Sequence, residues 1–145
     1  MNFLLDTNVV SEWVKPNPDA KLVKWLAQAK EDHVFISVIT LAELRRGTAR
    51  IAQGRRRSQL ETWLQNDLPQ RFNGRILTID AAVADAWGEL VAERDLIGRP
   101  IAAMDAFIAA ITRVHDLTLV TRNVADFSPS LKKILNPWGS RRAAQ

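Results

Sequence analysis

Cysteine is absent from the 145 residues. This removes disulfides, thiolate nucleophiles and cysteine-ligated zinc together, and it fits a reducing cytoplasm. Long hydrophobic runs are missing as well: no apolar stretch approaches the roughly 18 residues of a membrane span. The first residues hold no basic region ahead of a hydrophobic segment, so no signal peptide is expected and the reading is cytoplasmic, without a membrane partner. Histidine is scarce, with only His33 and His115. One precedes an expected strand and the other ends an expected helix, so neither suits histidine-based catalysis. There are no internal repeats, low-complexity blocks or linkers. The chain therefore reads as one domain over 1–139, followed by a short flexible tail at 140–145.

What is present is ordinary for a globular protein with a real core: 47% apolar and 25% charged residues. The net charge of +4 and a pI of about 10.0 favour a polyanionic partner, although an excess of Lys and Arg is a weak signal alone.

The stretch 3–13, FLLDTNVVSEW, organises the rest. Phe3, Leu4 and Leu5 have the unbroken apolar character of a buried strand. Asp6, Thr7 and Asn8 are residue types that cap a helix, and Val9, Val10 and Trp13 recur at helical spacing. Asp6 thus stands at the carboxyl end of a strand, where ligands bind in open parallel sheets. Further strands are expected at 34–36, 76–79, 117–120 and, at an edge, 134–135. Helices are expected after Asp19, from Thr40 to Ile51, over 58–68 with a stop at Pro69, over 81–94, and from Asp105 onward. Gly54 and Arg55–Arg57 should break or kink the helix that ends at Ile51 ahead of the one over 58–68, and 122–129 should be a polar loop. Short apolar runs alternating with helices imply a three-layer α/β/α domain around a mostly parallel sheet of about five strands.

Four acids share a suggestive context. Asp6 ends the first strand, Glu43 falls in the first turn of the helix after the second, Asp105 opens the helix before the fourth, and Asp126 lies in the loop after it. Each has a structural explanation. Asp6 can be a cap, Thr40 and Glu43 have the spacing of a capping box, Asp105 suits a helix N-terminus, and Asp126 suits a turn. Simple topology also places Asp105 at the far edge of the sheet unless an extended connection brings it round. Clustered together, however, such carboxylates repel one another and lose hydration, so some protonate or a cation binds. Oxygen-rich sites of this kind select Mg²⁺ or Mn²⁺.

The segments LLDTNVVSE (4–12), ISVITLAELRRG (36–47), MDAFIAAI (104–111), LVTRNVADF (119–127) and NPW (136–138) resemble the PIN-domain ribonucleases, specifically the VapC/FitB type of toxin. They occur in family order and span nearly the whole chain. The resemblance implies that Asp6, Glu43 and Asp105 are catalytic acids that hold Mg²⁺ (or Mn²⁺). It implies Asp126 as the fourth acid and Asn123 as a ligand or water-holding group nearby. Asn8 and Thr121 match polar positions that line the site. The implied reaction is hydrolysis of RNA to 5′-phosphate and 3′-hydroxyl ends. Implied partners are an RNA substrate, a cognate antitoxin, a second copy of the chain, and operator DNA bound only as the toxin–antitoxin complex. In similar toxins the helical pair that here carries Trp63 forms a groove for the antitoxin. Arg122 stands between two site positions and could touch phosphate, and Arg46 follows Glu43 by three, close enough to pair with it. Two alternatives compete with this reading. One is a catalytically weak PIN domain acting as a nucleic-acid-binding or regulatory partner. The other, less favoured, is a haloacid-dehalogenase-type phosphatase, which would want an Asp where this chain has Asn8.

Overall fold

Phe3–Leu5 form β1, and no loop follows the strand. Asp6 is extended (φ −69°, ψ 158°) and caps α1 (Thr7–Trp13) by accepting the Thr7 N–H at 2.8 Å. The computed structural model describes residues 1–138; the expected boundary at 139 and the tail at 140–145 lie outside the described residues. Asp19 caps α2 (Ala20–Gln28), as its residue type suggested, by accepting the Leu22 N–H at 3.0 Å.

β2 (Val34–Ser37) also passes directly into a helix, α3 (Val38–Ala49). Ser37, the last strand residue, is the cap; its hydroxyl accepts the Thr40 N–H at 3.3 Å. The helix therefore starts before Thr40, the capping box is not made, and Glu43 sits one turn deeper than its sequence context implied. Gly54 (φ 156°) separates α3 from α4 (Arg55–Thr62), so the arginine run forms the first turn of α4 instead of breaking a helix. Pro69 does not end the next helix. A π-helical stretch, Trp63–Asp67, precedes it, with the Leu68 N–H reaching the Trp63 carbonyl, and α5 (Leu68–Arg71) continues through the proline. The widened turn lets the helix absorb a residue that lacks an N–H and crowds the preceding turn.

β3 is shorter than expected, Ile76–Leu77, because Asp80 already caps α6 (Ala81–Leu96) by accepting the Val83 N–H at 2.9 Å. Then come α7 (Ala103–Val114), β4 (Thr118–Val120), a four-residue α8 (Val124–Phe127) within the expected polar loop, and β5 (Ile134–Leu135).

The five strands are all parallel, in the order β3-β2-β1-β4-β5, with Phe3 level with both Val34 and Thr118. Alternate residues divide between two cores, as the pleat requires. Leu4 and Leu119 pack with Val83, Leu90, Ile108 and Ile111 of α6 and α7. Leu5, Ile36 and Val120 pack with Val9, Val10, Leu22, Leu64 and Phe72 on the opposite face. These are the two helical layers of an α/β/α sandwich. Phe127, fully buried, anchors α8 to the first core, a burial worth about 2 to 3 kcal/mol.

The chain leaves β1 toward β2 on one side and returns as β4 on the other, so the crevice between β1 and β4 is a topological switch point. Asp105 reaches that edge by the extended connection that simple topology demanded. Trp87 Nε1 donates to the Ala103 carbonyl at 3.1 Å and Arg94 Nε to the Arg99 carbonyl at 2.7 Å. Residues 97–102 therefore run back along α6, and α7 begins beside the carboxyl ends of the strands.

Candidate active site

The switch point is built from hydroxyl and carboxylate side chains. Asp6, only 5% exposed, is tied to β4 through its backbone N–H, which donates to the Val120 carbonyl at 2.9 Å. One carboxylate oxygen accepts from the Thr7 N–H; the other accepts from Thr121 Oγ1 at 2.8 Å and from Asn8 Nδ2 at 3.4 Å. Thr121 is fully buried and also accepts from the Asn123 N–H at 3.0 Å. Asn8 bridges outward, its Oδ1 accepting from the Arg122 N–H at 3.3 Å. Glu43 is oriented from the other side. Thr7 Oγ1 donates to Glu43 Oε1 at 2.5 Å and meets the buried Thr40 hydroxyl at 3.0 Å. Thr7 thus links two acids through its N–H and its hydroxyl, while the cap itself is Asp6.

These groups face a pocket of about 390 Å³ lined by Asp6, Thr7, Asn8, Glu43, Asp105, Arg122 and Asn123, together with Ser11, Glu12, Lys15 and Trp138. Burial pushes Asp6 up from 3.8 to about 6, against the hydrogen bonds from Thr121 and Thr7, and the charges of Asp105 and Glu43 push the same way. Asp105 is raised too, first by burial and then by Glu43 and Asp126. Among the described residues, none of the four acids forms an ion pair. Like charges converge on a recessed carboxylate, and among the described residues no cation is ion-paired to them, Lys15 and Arg122 lining the same pocket without doing so.

That donor set suits a hard divalent cation. No group of three or more Asp, Glu or His side chains is arranged among the described residues to enclose an ion. The pocket is therefore an open acidic mouth rather than a cage. Mg²⁺ is commonly held in this way, by one or two carboxylates with water and substrate oxygens completing its shell.

Of the residues singled out from sequence, Asp6, Glu43, Asp105, Asn8, Arg122 and Asn123 line this pocket, and Thr121 supports it from below. Asp126 is exposed on α8 and stands at the side, close enough to Asp105 to act on its carboxyl. Arg46 does not pair with Glu43, whose partner is Thr7, and it lies outside the pocket. Arg45 and Arg57 are engaged with Glu61 at 3.1 and 3.7 Å. Neither histidine lines the pocket; His33 instead meets Asn2 Oδ1 at 2.6 Å.

Sequence reasoning passed over Ser11, Glu12 and Lys15. Their signal is a polar stripe 8, 11, 12, 15 at helical spacing from Asn8. Glu12 accepts from Lys15 Nζ and from the Asp19 N–H, both at 2.9 Å, and these bonds hold its carboxyl below the usual range. Trp138 ends the NPW segment of the resemblance, which assigned it no place in the site; the Arg122 guanidinium lies 5.2 Å from its ring centroid. A larger hollow of about 680 Å³ lies elsewhere, walled by Trp13, Val14, Trp63, Leu68 and Arg71. The end of α1 closes this hollow beside Trp63.

Residues 3–128 match the sequence profile of the PIN domain. The chain is 38% identical over 135 residues to Toxin FitB of Neisseria gonorrhoeae, covering 93% of this chain and 97% of that one. It is 33% identical to the VapC ribonuclease Y4jK of Sinorhizobium fredii over 93% and 96% of the two chains. Among solved structures, FitAB bound to the IR36 DNA fragment superposes with a TM-score of 0.89 at 34% identity, covering 98% of this chain and 99% of the other. A phosphatase of the haloacid-dehalogenase kind is thereby set aside. This chain belongs to the PIN domain family, on its branch of VapC- and FitB-type toxin ribonucleases.

Proposed function

We propose that this protein is an endoribonuclease that works with Mg²⁺ or Mn²⁺ held by Asp6, Glu43 and Asp105, with Asp126 as the fourth acid and Asn123 beside it. One observation carries the reading. A nearly buried carboxylate at the sheet's switch point faces two further acids in one pocket, and among the described residues no cation is ion-paired to any of them. A bound divalent ion would supply Lewis-acid polarisation of the phosphate and a water acidic enough to attack at neutral pH. The chain's own part is orientation. Thr121, Thr7 and Asn8 hold Asp6, and Thr7 holds Glu43. Arg122 and Lys15, on the rim of the same pocket, supply positive charge for the RNA backbone. With water attacking in line and the P–O3′ bond breaking, the 3′ oxygen would leave as a hydroxyl and the phosphate would stay on the 5′ end.

The partner at rest would be a cognate antitoxin, for which the 680 Å³ hollow offers a seat of mixed polarity, Trp13, Trp63 and Leu68 beside Asp67, Gln70 and Arg71. Operator DNA would be bound by the two proteins together, and the toxin would pair with a second copy of itself. Action on RNA would put the protein's work in the cytoplasm, and a chain without cysteine is compatible with a reducing compartment. Among the described residues, no helix is long and apolar enough to cross a membrane.

The test is cleavage of a mixed RNA pool by the purified protein with Mg²⁺, with Mn²⁺ and with EDTA, beside Asp6→Asn. Metal-dependent cutting that leaves 5′-phosphate ends and disappears in the variant supports the proposal. RNA that is bound but stays intact with either ion refutes it and favours a binding module.

A further inference from the structure

Arg94 is the only buried basic side chain among the described residues, 5% exposed, and it forms no ion pair there. Burying a guanidinium without a carboxylate is costly unless its donors are well satisfied. Here they reach three acceptors on neighbouring segments. Nε donates to the Arg99 carbonyl at 2.7 Å, and Nη1 donates to the Asp126 carbonyl at 3.0 Å and to Ser130 Oγ at 3.1 Å. The geometry of those acceptors matters more than their number. Residue 99 belongs to the connection that runs back along α6 and enters α7, whose first turn carries Asp105. Residue 126 is in α8, so the second bond fixes the backbone of Asp126 itself. One planar, rigid fork therefore spans the segment that leads to Asp105, in the pocket, and the segment that carries Asp126 beside it.

We propose that Arg94 is a positioning residue for the acidic site: its fork sets the separation of Asp105 and Asp126 by clamping the 97–102 connection to α8. A purely architectural role is the competing explanation, because Phe127 and Leu131 already anchor α8 by burial. The proposal rests on Asp126 being the fourth acid, so both are tested in one cycle.

The probe is Mn²⁺ alone, titrated into the RNA-free protein and followed by electron paramagnetic resonance, with thermal unfolding in parallel. The proteins are wild type, Arg94→Lys, Asp126→Asn and the double variant. Lysine keeps the charge and the stem but cannot span three acceptors in a fixed plane. In the wild-type background Asp126→Asn is expected to weaken Mn²⁺ binding about tenfold, and Arg94→Lys to do the same, the size typical of losing support behind a metal site. In the Arg94→Lys background Asp126→Asn should then change affinity less than about twofold, because its carboxylate is already displaced. If Arg94→Lys lowers the melting temperature while Asp126→Asn keeps its full effect, the clamp is architectural and the proposal fails with Asp126 still in the set. If Asp126→Asn has no effect in the wild type, the fourth-acid reading fails and takes the proposal with it. Should Arg94→Lys not fold, Ser130→Ala removes one acceptor of the same fork and is read in the same cycle.

Discussion

Replacing Asp6 by Asn should make the metal-free protein more stable at neutral pH while abolishing its activity. Asp6 titrates near 6 in the fold instead of 3.8, chiefly because it is buried. That difference of about two pH units corresponds to ~3 kcal/mol against the ionised form. The folded protein binds this proton more tightly than the unfolded chain does. Stability from this group is therefore full below about pH 4, falls as pH rises toward 6, and stays low above that. Asparagine is neutral throughout. It retains one acceptor oxygen, so it keeps either the Thr7 N–H or the Thr121 hydroxyl, each 2.8 Å from Asp6, and loses about 1 kcal/mol for the other. The net expectation is a variant more stable by about 2 kcal/mol at pH 7.5, with the advantage gone at pH 4. Urea unfolding with EDTA at a series of pH values measures this directly. Saturating Mn²⁺ should reverse the order, adding ~3 kcal/mol to the wild type at a hundredfold excess over Kd and nothing to the variant. A variant that is no more stable at pH 7.5, or one with the same pH slope as wild type between 4 and 6, would refute the account of Asp6 as a desolvated, uncompensated charge.

Mn²⁺ affinity should itself fall by up to about tenfold per pH unit below pH 6, because the proton competes for Asp6; calorimetric titrations at pH 5, 6 and 7 check the slope, and a flat profile removes Asp6 from the ligands. Thr7→Val takes away the hydroxyl that orients Glu43 and should weaken Mn²⁺ binding about tenfold with the chain still folded by circular dichroism. Arg122→Ala should leave kcat near wild type, raise KM several-fold, and lower the slope of log affinity against log salt for RNA by about 1; an unchanged slope places Arg122 off the backbone.

Local signals carried much of this reading. The run Phe3–Leu5 followed by Asp6 specified strand, cap and helix within a few residues, because an apolar triplet and a capping carboxylate act on their immediate neighbours. The same holds for Asp19 before α2 and for the edge strand at Ile134–Leu135. The acids at 6, 43 and 105 were legible as candidates through their place beside those elements and through the family pattern.

Other features depended on partners distant in the chain. Ser37 replaced Thr40 as the cap because β2 needs no loop before α3, a matter of strand pairing rather than of residue preference. Pro69 was absorbed by a π turn held in the second core by Leu64 within it and Leu68 just after it. Arg46 was free by spacing to meet Glu43, yet Thr7, 36 residues away, holds that carboxylate. Arg94 extends the buried stripe of Leu90 and Val91, so its burial could be read from spacing, but its acceptors at 99, 126 and 130 could not. The sequence by itself determined which residues begin and end most elements and which acids stand at their ends, since capping and periodicity are short-range. Only the tertiary structure decided which of those acids share a pocket, because that depends on the path of 97–102 and on where hydroxyls from other strands and helices come to rest.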